Sequence, residues 1–434
     1  MLLETLPPPR LHVAPMQCYT NSHCRVLLRY LSSDAILWTE MEKAADILAH
    51  PERLRHESVE HPLVLQLGGD DLSQLSAASA AARAHGGFCE LNLNAGCPSI
   101  TTGGADFGAS LMTKASHTRR LLEEMAAASD LPVSVKCRIG VHERLLPDGT
   151  VPEDQYEHLY NFIDEVSGGG ATSHVIVHAR AAILGGLSPS KNRCIPPLRH
   201  DYVRRLADDF PHLVVTINGG LALDGAWRDE EYAWLGSDRD GVRRIDGVMF
   251  GRDVLRRPLH LWCQPHGFDH STAARQQQQS PPPPQGVRPA RSVNGRSSSR
   301  SDAIERYTRD ACLQVARQQA SARDVLQPLT LIAQQLHEEE EDDAREGGSG
   351  GGEQELEDAE EIFGAVWDGV AAVMDERVGG RGDKSAPAAA ELLRDYSRGE
   401  SSLPTKQLLK LVSRALGKKE TNKIARNRAE SVLT

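Results

Sequence analysis

The chain of 434 residues has no long apolar run. A helix needs roughly 20 consecutive apolar residues to cross a bilayer, so no association with a membrane is expected. The first ten residues have neither the basic start and apolar core of a secretory signal nor the Ser- and Arg-rich, amphipathic character of a transit peptide. These absences favour a cytoplasmic location. Low-complexity inserts further along the chain indicate a eukaryotic source, which leaves a plastid or mitochondrion open.

Closely spaced pairs of cysteines are also missing. The chain has eight cysteines, and none of them forms a C-x-x-C pair. In a chain of this length such cysteines do not indicate a disulfide framework, and a reducing compartment is expected. No spacing of cysteine and histidine is typical of a zinc or iron–sulfur site, so no metal is predicted.

An overall excess of positive charge is absent, because the net charge is −11. Residues 338–361 alone hold thirteen acids and one arginine, so the rest of the chain sums to +1. Residues 405–434 carry eight Lys and Arg against two Glu. Binding to nucleic acid depends on how charge is distributed over a surface, so the acidic total does not exclude an RNA partner. The acidic run is interpreted as a solvated spacer and not as a specific binding element.

Eight short β-rich runs follow one another in the first part of the chain. They are residues 11–16, 35–41, 62–67, 88–94, 133–139, 174–180, 213–218 and 247–250. Good helix formers lie between them, such as the alanine-rich residues 72–85 and residues 116–128. Strand–helix alternation repeated eight times over about 250 residues predicts a (β/α)8 TIM barrel. A doubly wound parallel sheet is the alternative.

The composition changes abruptly after residue 268. Residues 271–300 contain a glutamine run, four consecutive prolines and many Ser and Arg, which predicts disorder. Helical periodicity returns over 302–336 and breaks at an acidic, Gly-rich stretch over 337–361. The predicted organisation is therefore a barrel domain over 10–265, a disordered linker over 266–301, and a small all-helical domain over 302–434 interrupted by low-complexity insertions, the acidic one at 337–361.

Polar side chains collect where the predicted strands end. Asn94, Lys136, Arg138, His178 and Arg180 each alternate with apolar residues in their runs, so each set points to one face of its strand. Ionised Lys and Arg are costly to bury without partners. Barrel enzymes place their sites at the carboxyl ends of the strands. The pattern predicts a bound anion or a reaction centre there.

Two glycine clusters follow the last two strands. Asn218, Gly219 and Gly220 follow the seventh run, and Gly251 and Arg252 follow the eighth. Glycine lets backbone N–H groups approach a phosphate, and arginine supplies a planar fork. An isolated Gly-Gly is usually only a turn. Both clusters stand where this fold commonly binds phosphate, after strands seven and eight, so phosphate binding is predicted.

Cys97 lies at the exit of the fourth strand, in the run Asn94-Ala-Gly-Cys-Pro-Ser99. A thiol flanked by Gly and Pro is held on a constrained turn. Most cysteines are inert and buried, but the polar residues around Cys97 favour a reactive role. The run Ala14-Pro15-Met16 and Gln66 end strands on the same rim, where each could also serve packing or a turn.

These residues form motifs that resemble the tRNA-dihydrouridine synthases, in order, from about residue 10 to 258. The motifs are L-H-V-A-P-M at 11–16, W-T-E-M at 38–41, L-Q-L-G-G at 65–69, E-L-N-L-N-A-G-C-P-S at 90–99, V-K-C-R-I-G at 135–140, V-H-A-R at 177–180 and I-N-G-G at 217–220. The run G-G-L-S-P-S-K-N-R at 185–193, followed by I-P-P, resembles the A-type subgroup, which modifies positions 20 and 20a of the D-loop. Ser190 stands where that pattern usually has lysine.

The resemblance implies FMN as cofactor, NADPH or NADH as hydride source and tRNA as partner, with the helical domain over 302–434 binding tRNA. No obligatory protein partner is implied. Positions that match FMN-binding residues are Ala14, Pro15, Met16, Gln66, Lys136, His178, Asn218, Gly219, Gly220, Gly251 and Arg252. Cys97 matches the catalytic proton donor, and the residues expected near tRNA are Asn94, Arg138, Arg180, Ser190 and Arg193.

The chemistry agrees with these implied roles. Reduction of the uracil 5,6 double bond needs a hydride at one carbon and a proton at the other. A thiol, with a reference pKa of about 8.5, is mostly protonated at neutral pH and can act as the acid. Lys136 can stabilise negative charge on the reduced flavin ring. A structural ion pair is the alternative for Lys136, and a satisfied inner-barrel histidine is the alternative for His178.

Two other functions stay open. One is a different FMN barrel oxidoreductase, similar to dihydroorotate dehydrogenase or an ene-reductase, acting on a small molecule. The other is a non-catalytic RNA-binding relative. The basic tail at 406–428 and the pair Arg180 and Arg193 favour RNA over a small molecule, since phosphate contacts need distributed cations. Cys97 together with the set of flavin positions disfavours a non-catalytic protein.

Overall fold

The computed structural model describes residues 9–98, 107–223, 245–261, 299–317, 322–346, 362, 364–366 and 368–373. Internal contacts divide the chain into two compact units. The first unit consists of Met1–Met16, Asp34–Gly251 and Gln264–Gly295, and the second of Gln17–Ser33, Arg252–Cys263 and Arg296–Thr434. Each unit is described below over its described residues.

Ten strands belong to the first unit. They are β1 (Arg10–Val13), β2 (Leu37–Lys43), β3 (Leu63–Gly68), β4 (Glu90–Ala95), β5 (Val133–Arg138), β6 (Val141–Arg144), β7 (His174–His178), β8 (Ala182–Gly185), β9 (Val214–Asn218) and β10 (Gly247–Phe250). Eight of them form one parallel sheet in the order β1-β10-β9-β7-β5-β4-β3-β2, and β6 pairs with β8 in a separate parallel sheet.

The eight-stranded sheet closes on itself between β1 and the start of β2. His12 pairs with Ile36 in a parallel bridge, and the N–H of Ile36 donates to the carbonyl of Leu11 at 2.8 Å. The N–H of Val13 donates to the carbonyl of Ile36 at 2.9 Å. Closure confirms the predicted TIM barrel, and the doubly wound alternative is wrong because that fold leaves two open edges.

Nine α-helices have defined bounds within the described ranges, and residues 364–366 and 368–373 are also helical. The nine are α1 (Ser22–Leu31), α2 (Ala44–Ala49), α3 (Leu72–His85), α4 (Ala115–Ser129), α5 (Tyr156–Ser167), α6 (His200–Asp209), α7 (Arg252–Arg256), α8 (Arg300–Ala316) and α9 (Ala322–Glu346). Helix α3 has the bounds that its alanine-rich sequence predicts. Asp71 caps its first turn by accepting the N–H of Gln74 at 2.8 Å, and Gly86, with φ of +78°, ends it.

The side chains that line the barrel interior are identified by contacts between strands that are not neighbours. The rings of His12 on β1 and His174 on β7 lie 5.8 Å apart, although β10 and β9 separate these strands in the sheet. Their contact therefore crosses the interior. Side chains alternate between the two faces of a strand, so residues in register with His12 or His174, or two positions away from such a residue, also point inward. They include the polar positions of β3, β4 and β5. The alternate residues, such as Leu91 and Leu93, are fully buried on the outer face of the sheet.

The second unit is built around α1, α8 and α9. Tyr307 on α8 donates its hydroxyl to the carbonyl of Val325 on α9 at 2.6 Å. Tyr30 on α1 donates to Asp310 Oδ2 at 2.5 Å, and Gln327 on α9 donates to the carbonyl of Cys18 at 2.8 Å. The predicted boundary between residues 265 and 266 differs from this division, because internal contacts place α1 and α7 in the helical unit.

The acidic stretch begins as a helix. Helix α9 continues to Glu346, ten residues into the segment 337–361 that was predicted to interrupt helical structure. The prediction is wrong for residues 337–346, because glutamate is a good helix former and the glycines that break the pattern begin only at residue 347. The end of the predicted linker is also helical, because Ser299 caps α8 and the helix begins at Arg300. The linker before residue 299, the rest of the acidic insert and the basic residues 405–434 lie outside the described residues.

Among the described residues, no helix has the length and apolar character needed to span a membrane. The cytoplasmic location stays a prediction.

Candidate active site

Cys97 lies on a turn that its neighbours hold on two sides. The Oδ1 atom of Asn94, on β4, accepts the backbone N–H of Gly96 at 3.1 Å and that of Cys97 at 3.0 Å, as an Asx turn does. The carbonyl of Cys97 accepts the N–H of Ala109 at 2.8 Å. Gly96 allows close approach to β5, since a Cβ there would lie 3.3 Å from the backbone of Lys136 and Cys137. The constrained thiol expected from the sequence is therefore present.

A cluster of basic side chains lies at the carboxyl end of the barrel, near the Cys97 turn. It consists of Lys136, Arg138, His178, Arg180 and Arg193, and the strand register pairs Arg138 with His178. Burial lowers the pKa of Lys136 to about 8, with a further contribution from Arg138. Burial also lowers the pKa of His178 well below its usual value, and the positive charges of the lysine and the three arginines lower it further. The imidazole of His178 is therefore neutral at neutral pH, and the cluster favours an anionic ligand.

Arg138 joins three separate segments of the rim. Its Nε donates to the carbonyl of Gly96 at 3.0 Å, and its Nη1 donates to the carbonyls of Ala181 at 3.3 Å and Asn192 at 3.1 Å. The residue is 3% exposed. Burial lowers its pKa to about 10, and Cys97 opposes that shift. Much of the guanidinium expected to contact tRNA is thus engaged in holding the Cys97 turn against the loop after β7.

That loop is organised by Asn192, a residue that the sequence reasoning did not single out. Asn192 is fully buried. Its Oδ1 accepts the N–H of Ile183 at 2.7 Å, and its Nδ2 donates to the carbonyl of Ile183 at 2.9 Å. The only signal for it was its place between Lys191 and Arg193 in the motif at 185–193.

Three of the residues predicted to lie near tRNA belong to the loop after β7. Arg180 donates through Nη1 to the carbonyl of Cys194 at 3.1 Å and to that of Pro196. The carbonyl of Ser190 accepts the N–H of Arg193 at 3.0 Å, at a short 3₁₀ helix formed by Lys191–Arg193. The loop therefore brings Arg180, Ser190 and Arg193 together.

The glycine pair after β9 passes directly over His178. Gly219 has φ of +101°, and a Cβ there would lie 2.6 Å from Cδ2 of His178. Gly220 has φ of +73°, and a Cβ there would meet the side chain of Leu198. Asn218 anchors the start of the turn by donating to the carbonyl of Met249 at 2.8 Å. No residue with a side chain fits these two glycine positions without a shift.

The carboxyl ends of β1 and β10 also lie next to each other. The N–H of Ala14 donates to the carbonyl of Phe250 at 2.8 Å. A Cβ on Gly251 would lie 3.8 Å from Cβ of Ala14 and 4.0 Å from Sδ of Met16, so the predicted FMN positions 14–16 and Gly251 are neighbours. Arg252 is the first residue of α7, in the second unit.

Gln66 sits deeper, in the barrel interior. It is buried, and its side-chain oxygen accepts the Nδ2 of Asn94 at 2.9 Å. Its Nε2 donates to Oδ1 of Asn92 at 2.9 Å. Gln66 therefore lies directly beneath the residue that shapes the Cys97 turn.

The side chains of the first unit fit a phosphorylated, anionic flavin. The groups named above as lowering the pKa of His178 are all cationic, and no hydrogen bond from the Lys136 ammonium to another described residue is found. Gly219 is partly exposed and Gly220 exposed, and both have a positive φ that favours glycine. Such a site complements a negatively charged ring and a phosphate.

Comparison with known families agrees with this arrangement. The profile described as Dihydrouridine synthase (Dus) matches residues 12–323. The chain belongs to the dihydrouridine synthase family. The resemblance predicted from the motifs is thereby confirmed.

Curated relatives of this dihydrouridine synthase carry the A-type name. A tRNA-dihydrouridine(20/20a) synthase of Xanthomonas campestris is 42% identical over 267 residues, which cover 59% of this chain and 73% of the relative. The enzyme of the same name from Salmonella typhi is 40% identical over 256 residues, 59% of this chain and 71% of its own. The enzyme of the same name from Escherichia coli K12 is 40% identical over 250 residues, which cover 57% of this chain and 66% of the relative.

Among solved structures, a truncated 3-deoxy-D-arabino-heptulosonate 7-phosphate synthase from Thermotoga maritima covers 56% of this chain and 75% of its own, at 12% identity and a TM-score of 0.32.

Proposed function

We propose that this dihydrouridine synthase reduces the 5,6 double bond of uridine in the D-loop of tRNA, at positions 20 and 20a, with FMN as cofactor and NADPH or NADH as reductant. The observation that carries the proposal is the Cys97 turn held against a cluster of five basic side chains at the carboxyl end of the barrel. The names of the curated relatives support the substrate.

The FMN-binding role is assigned to residues of the first unit at the barrel rim and interior. They are Ala14, Pro15, Met16, Gln66, Lys136, His178, Asn218, Gly219, Gly220 and Gly251. FMN, when bound and reduced, supplies the hydride. In this proposal the ammonium of Lys136 offsets negative charge on the ring, and its burial near Arg138 supports an anionic partner. Arg252 stays a sequence-based prediction for the phosphate.

Cys97 supplies the proton in this proposal. Its Sγ–H bond breaks as a C–H bond forms at the uracil carbon that does not receive the hydride, and the thiolate is reprotonated from solvent. The turn geometry supports this role, because Asn94 holds the N–H groups of Gly96 and Cys97 and the N–H of Ala109 holds the carbonyl of Cys97. A positioned acid of this kind contributes about 10²–10⁴-fold to a rate.

The tRNA-binding role is assigned to residues around the loop after β7. Arg180, Ser190 and Arg193 would contact the phosphates and the target nucleotide, together with Asn94 and with the part of Arg138 that the backbone carbonyls leave available. Arginine forks suit phosphate oxygens. We assign further phosphate contacts to the helical domain at 302–434 and to its basic tail.

The decisive experiment measures dihydrouridine directly. Purified protein should be yellow, and incubation with unmodified tRNA and NADPH should produce dihydrouridine at positions 20 and 20a, detected by mass spectrometry of nuclease fragments. Colourless protein that takes up no FMN on reconstitution would refute the cofactor assignment. Reduction of orotate or an enone, without reduction of tRNA, would instead support the small-molecule oxidoreductase.

A further inference from the structure

A chain of side-chain hydrogen bonds runs from the Cys97 turn down into the barrel. At the rim, the Oδ1 of Asn94 accepts two backbone N–H groups, those of Gly96 and Cys97. The Nδ2 of the same side chain donates to Oε1 of Gln66 at 2.9 Å. The amide of Asn94 thus connects the turn to the interior.

The chain continues through three strands. Gln66 on β3 donates its Nε2 to Oδ1 of Asn92 at 2.9 Å. Asn92 on β4 donates its Nδ2 to Oγ of Ser134 at 2.8 Å. Asn92 and Ser134 are fully buried and Gln66 nearly so, so water does not compete for these bonds.

A carboxylate ends the chain. Ser134 on β5 donates its hydroxyl to Oε1 of Glu90. Both oxygens of Glu90 lie 3.1 Å from Nδ1 of His174, and Nε2 of His174 lies 2.9 Å from Oγ1 of Thr216. The Glu90 and His174 side chains are 16% and 11% exposed.

The two ends force the direction of every bond between them. Backbone N–H groups only donate, so the oxygen of Asn94 must face the turn and its NH2 must face Gln66. The same reasoning orients Gln66 and Asn92 in succession, because each amide has one accepting and one donating side. The hydroxyl of Ser134 accepts from Asn92 and is left to donate to Glu90, which as a carboxylate only accepts. The orientation that the turn requires at the rim is therefore also the one that the partly buried carboxylate of Glu90 requires at the other end of the chain.

We propose that Ser134 and Glu90 are positioning residues for Cys97, acting through Asn92, Gln66 and Asn94. This inference rests on the proposed function, in which Cys97 is the acid. Bonds in a low-dielectric interior polarise one another along such a chain. Loss of the Ser134 hydroxyl leaves the buried amide of Asn92 without its acceptor, so the amides are held from the rim alone and their bonds to the turn weaken. The Cys97 turn then loses its fixed geometry.

The test compares Ser134→Ala with Thr216→Val. Each removes one buried hydroxyl from the same interior, but only Ser134 lies between Glu90 and Asn94. The first readout is the rate at which iodoacetamide alkylates Cys97, followed by peptide mass spectrometry with Cys194 as an internal reference. In Ser134→Ala, alkylation of Cys97 should become several-fold faster relative to Cys194. In Thr216→Val, the ratio should stay at its wild-type value.

The second readout separates the two half-reactions of the FMN-loaded enzyme. Reoxidation by tRNA should slow by about 10- to 100-fold in Ser134→Ala, as small misplacements of a catalytic group do. Reduction by NADPH should slow much less, because Gln66 is the one residue of the chain that is assigned to FMN binding. A wild-type alkylation ratio in Ser134→Ala overturns the proposal, as does equal slowing in Thr216→Val. Should the alanine variant not fold, Ser134→Cys, whose slightly larger thiol is a weaker donor and acceptor, takes its place, and the same directions of change are expected.

The alkylation ratio also keeps this proposal separate from the proposed function. If wild-type protein produces no dihydrouridine, the function is wrong, but the ratio still reports whether Ser134 positions Cys97. If wild-type protein produces dihydrouridine and the ratio does not change, only the positioning role is wrong.

Discussion

Gly108 packs directly against the backbone of Cys97. A Cβ at residue 108 would lie 2.5 Å from the carbonyl oxygen of Cys97, and the φ of Gly108 is +76°. The carbonyl is already held by Ala109, so it has little freedom to move away. The turn that carries the thiol thus depends on a residue eleven positions further along the chain.

Gly108→Ala should displace the Cys97 turn. We expect destabilisation by about 1–2 kcal/mol from the left-handed backbone alone, with an added loss from the clash and slower reoxidation of reduced flavin by tRNA. Gly149→Ala is the matched control, because Gly149 has φ of +83° and no atom within 4 Å of an added Cβ. Equal effects of the two substitutions on urea unfolding and on reoxidation would show that the contact with Cys97 is unimportant.

Cys97→Ala should separate flavin reduction from tRNA reduction. The variant should keep its flavin spectrum and its rate of reduction by NADPH, since the thiol is proposed to donate a proton and not to hold FMN. Reoxidation by tRNA should slow by about 10²–10⁴-fold, as followed by stopped-flow absorbance. An unchanged rate of reoxidation would make Cys97 a structural turn residue. Loss of FMN would make Cys97→Ser the variant to measure.

Lys136 should give the flavin-free protein a distinctive pH dependence. Burial lowers its pKa from 10.5 to about 8. Between these values the unfolded chain binds a proton that the folded protein lacks, so the free energy of unfolding rises with pH across this window. Flavin-free Lys136→Met should be more stable than wild type at neutral pH, and the difference should shrink from pH 8 toward pH 10.5.

Urea unfolding of both proteins across this range measures the effect. Lys191→Met, at an exposed lysine, controls for the loss of one positive charge. A difference between Lys136→Met and wild type that is constant with pH would mean that the ammonium is well solvated in the folded protein.

Arg138→Lys should fail to replace the guanidinium, although it keeps the charge. One ammonium cannot reach the carbonyls of Gly96, Ala181 and Asn192 together in the geometry of a planar fork. We expect a loss of about 1–3 kcal/mol in stability from unsatisfied buried groups, with a lower kcat. Arg53→Lys, at an ion pair with Glu42 whose arginine is 44% exposed, should cost at most about 1 kcal/mol. If Arg138→Lys costs no more than this control in urea unfolding, the fork is not needed.

Deletion of residues 405–434 should weaken tRNA binding and flatten its salt dependence, because eight cations leave with the segment. Titrations of tRNA at several salt concentrations test this deletion. Unchanged affinity and an unchanged salt slope after removal of the tail would mean that tRNA docks elsewhere.

Deletion of residues 271–300 should leave flavin binding unchanged, since that stretch has almost no apolar anchor. Flavin fluorescence tests this deletion.

Much of the barrel could be predicted because its signals are local. Alternation along β4 and β5 identified which side chains share a face, and the interior position of Asn94 and Lys136 follows from it. The glycine pair at 219–220 was predicted to lie at a phosphate-type turn, and the positive φ of both residues agrees with such a turn. The motif around Cys97 indicated both a constrained turn and a family, and the family is confirmed.

The loops above the barrel could not be predicted in this way. The pairing of β6 with β8 joins segments about forty residues apart, and neither run has a strong strand pattern of its own. Arg138 illustrates the same limit: its sequence context favoured a role at tRNA, but the loop region after β7, more than forty residues away along the chain, supplies two of the three carbonyls that bind its guanidinium. Such contacts depend on how the strands close, and local pattern does not contain that information.

The sequence by itself determined the strand–helix order, the inward-facing set of polar residues and the family, because each follows from residue type and spacing along the chain. Only the tertiary structure decided that Asn94, Gln66, Asn92, Ser134 and Glu90 form one directed chain. The register of three neighbouring strands brings these side chains within hydrogen-bonding distance. Closure of the sheet encloses them in an interior without competing water, where each amide and hydroxyl must find a partner. Which partner it finds is a property of the closed barrel and not of any single strand.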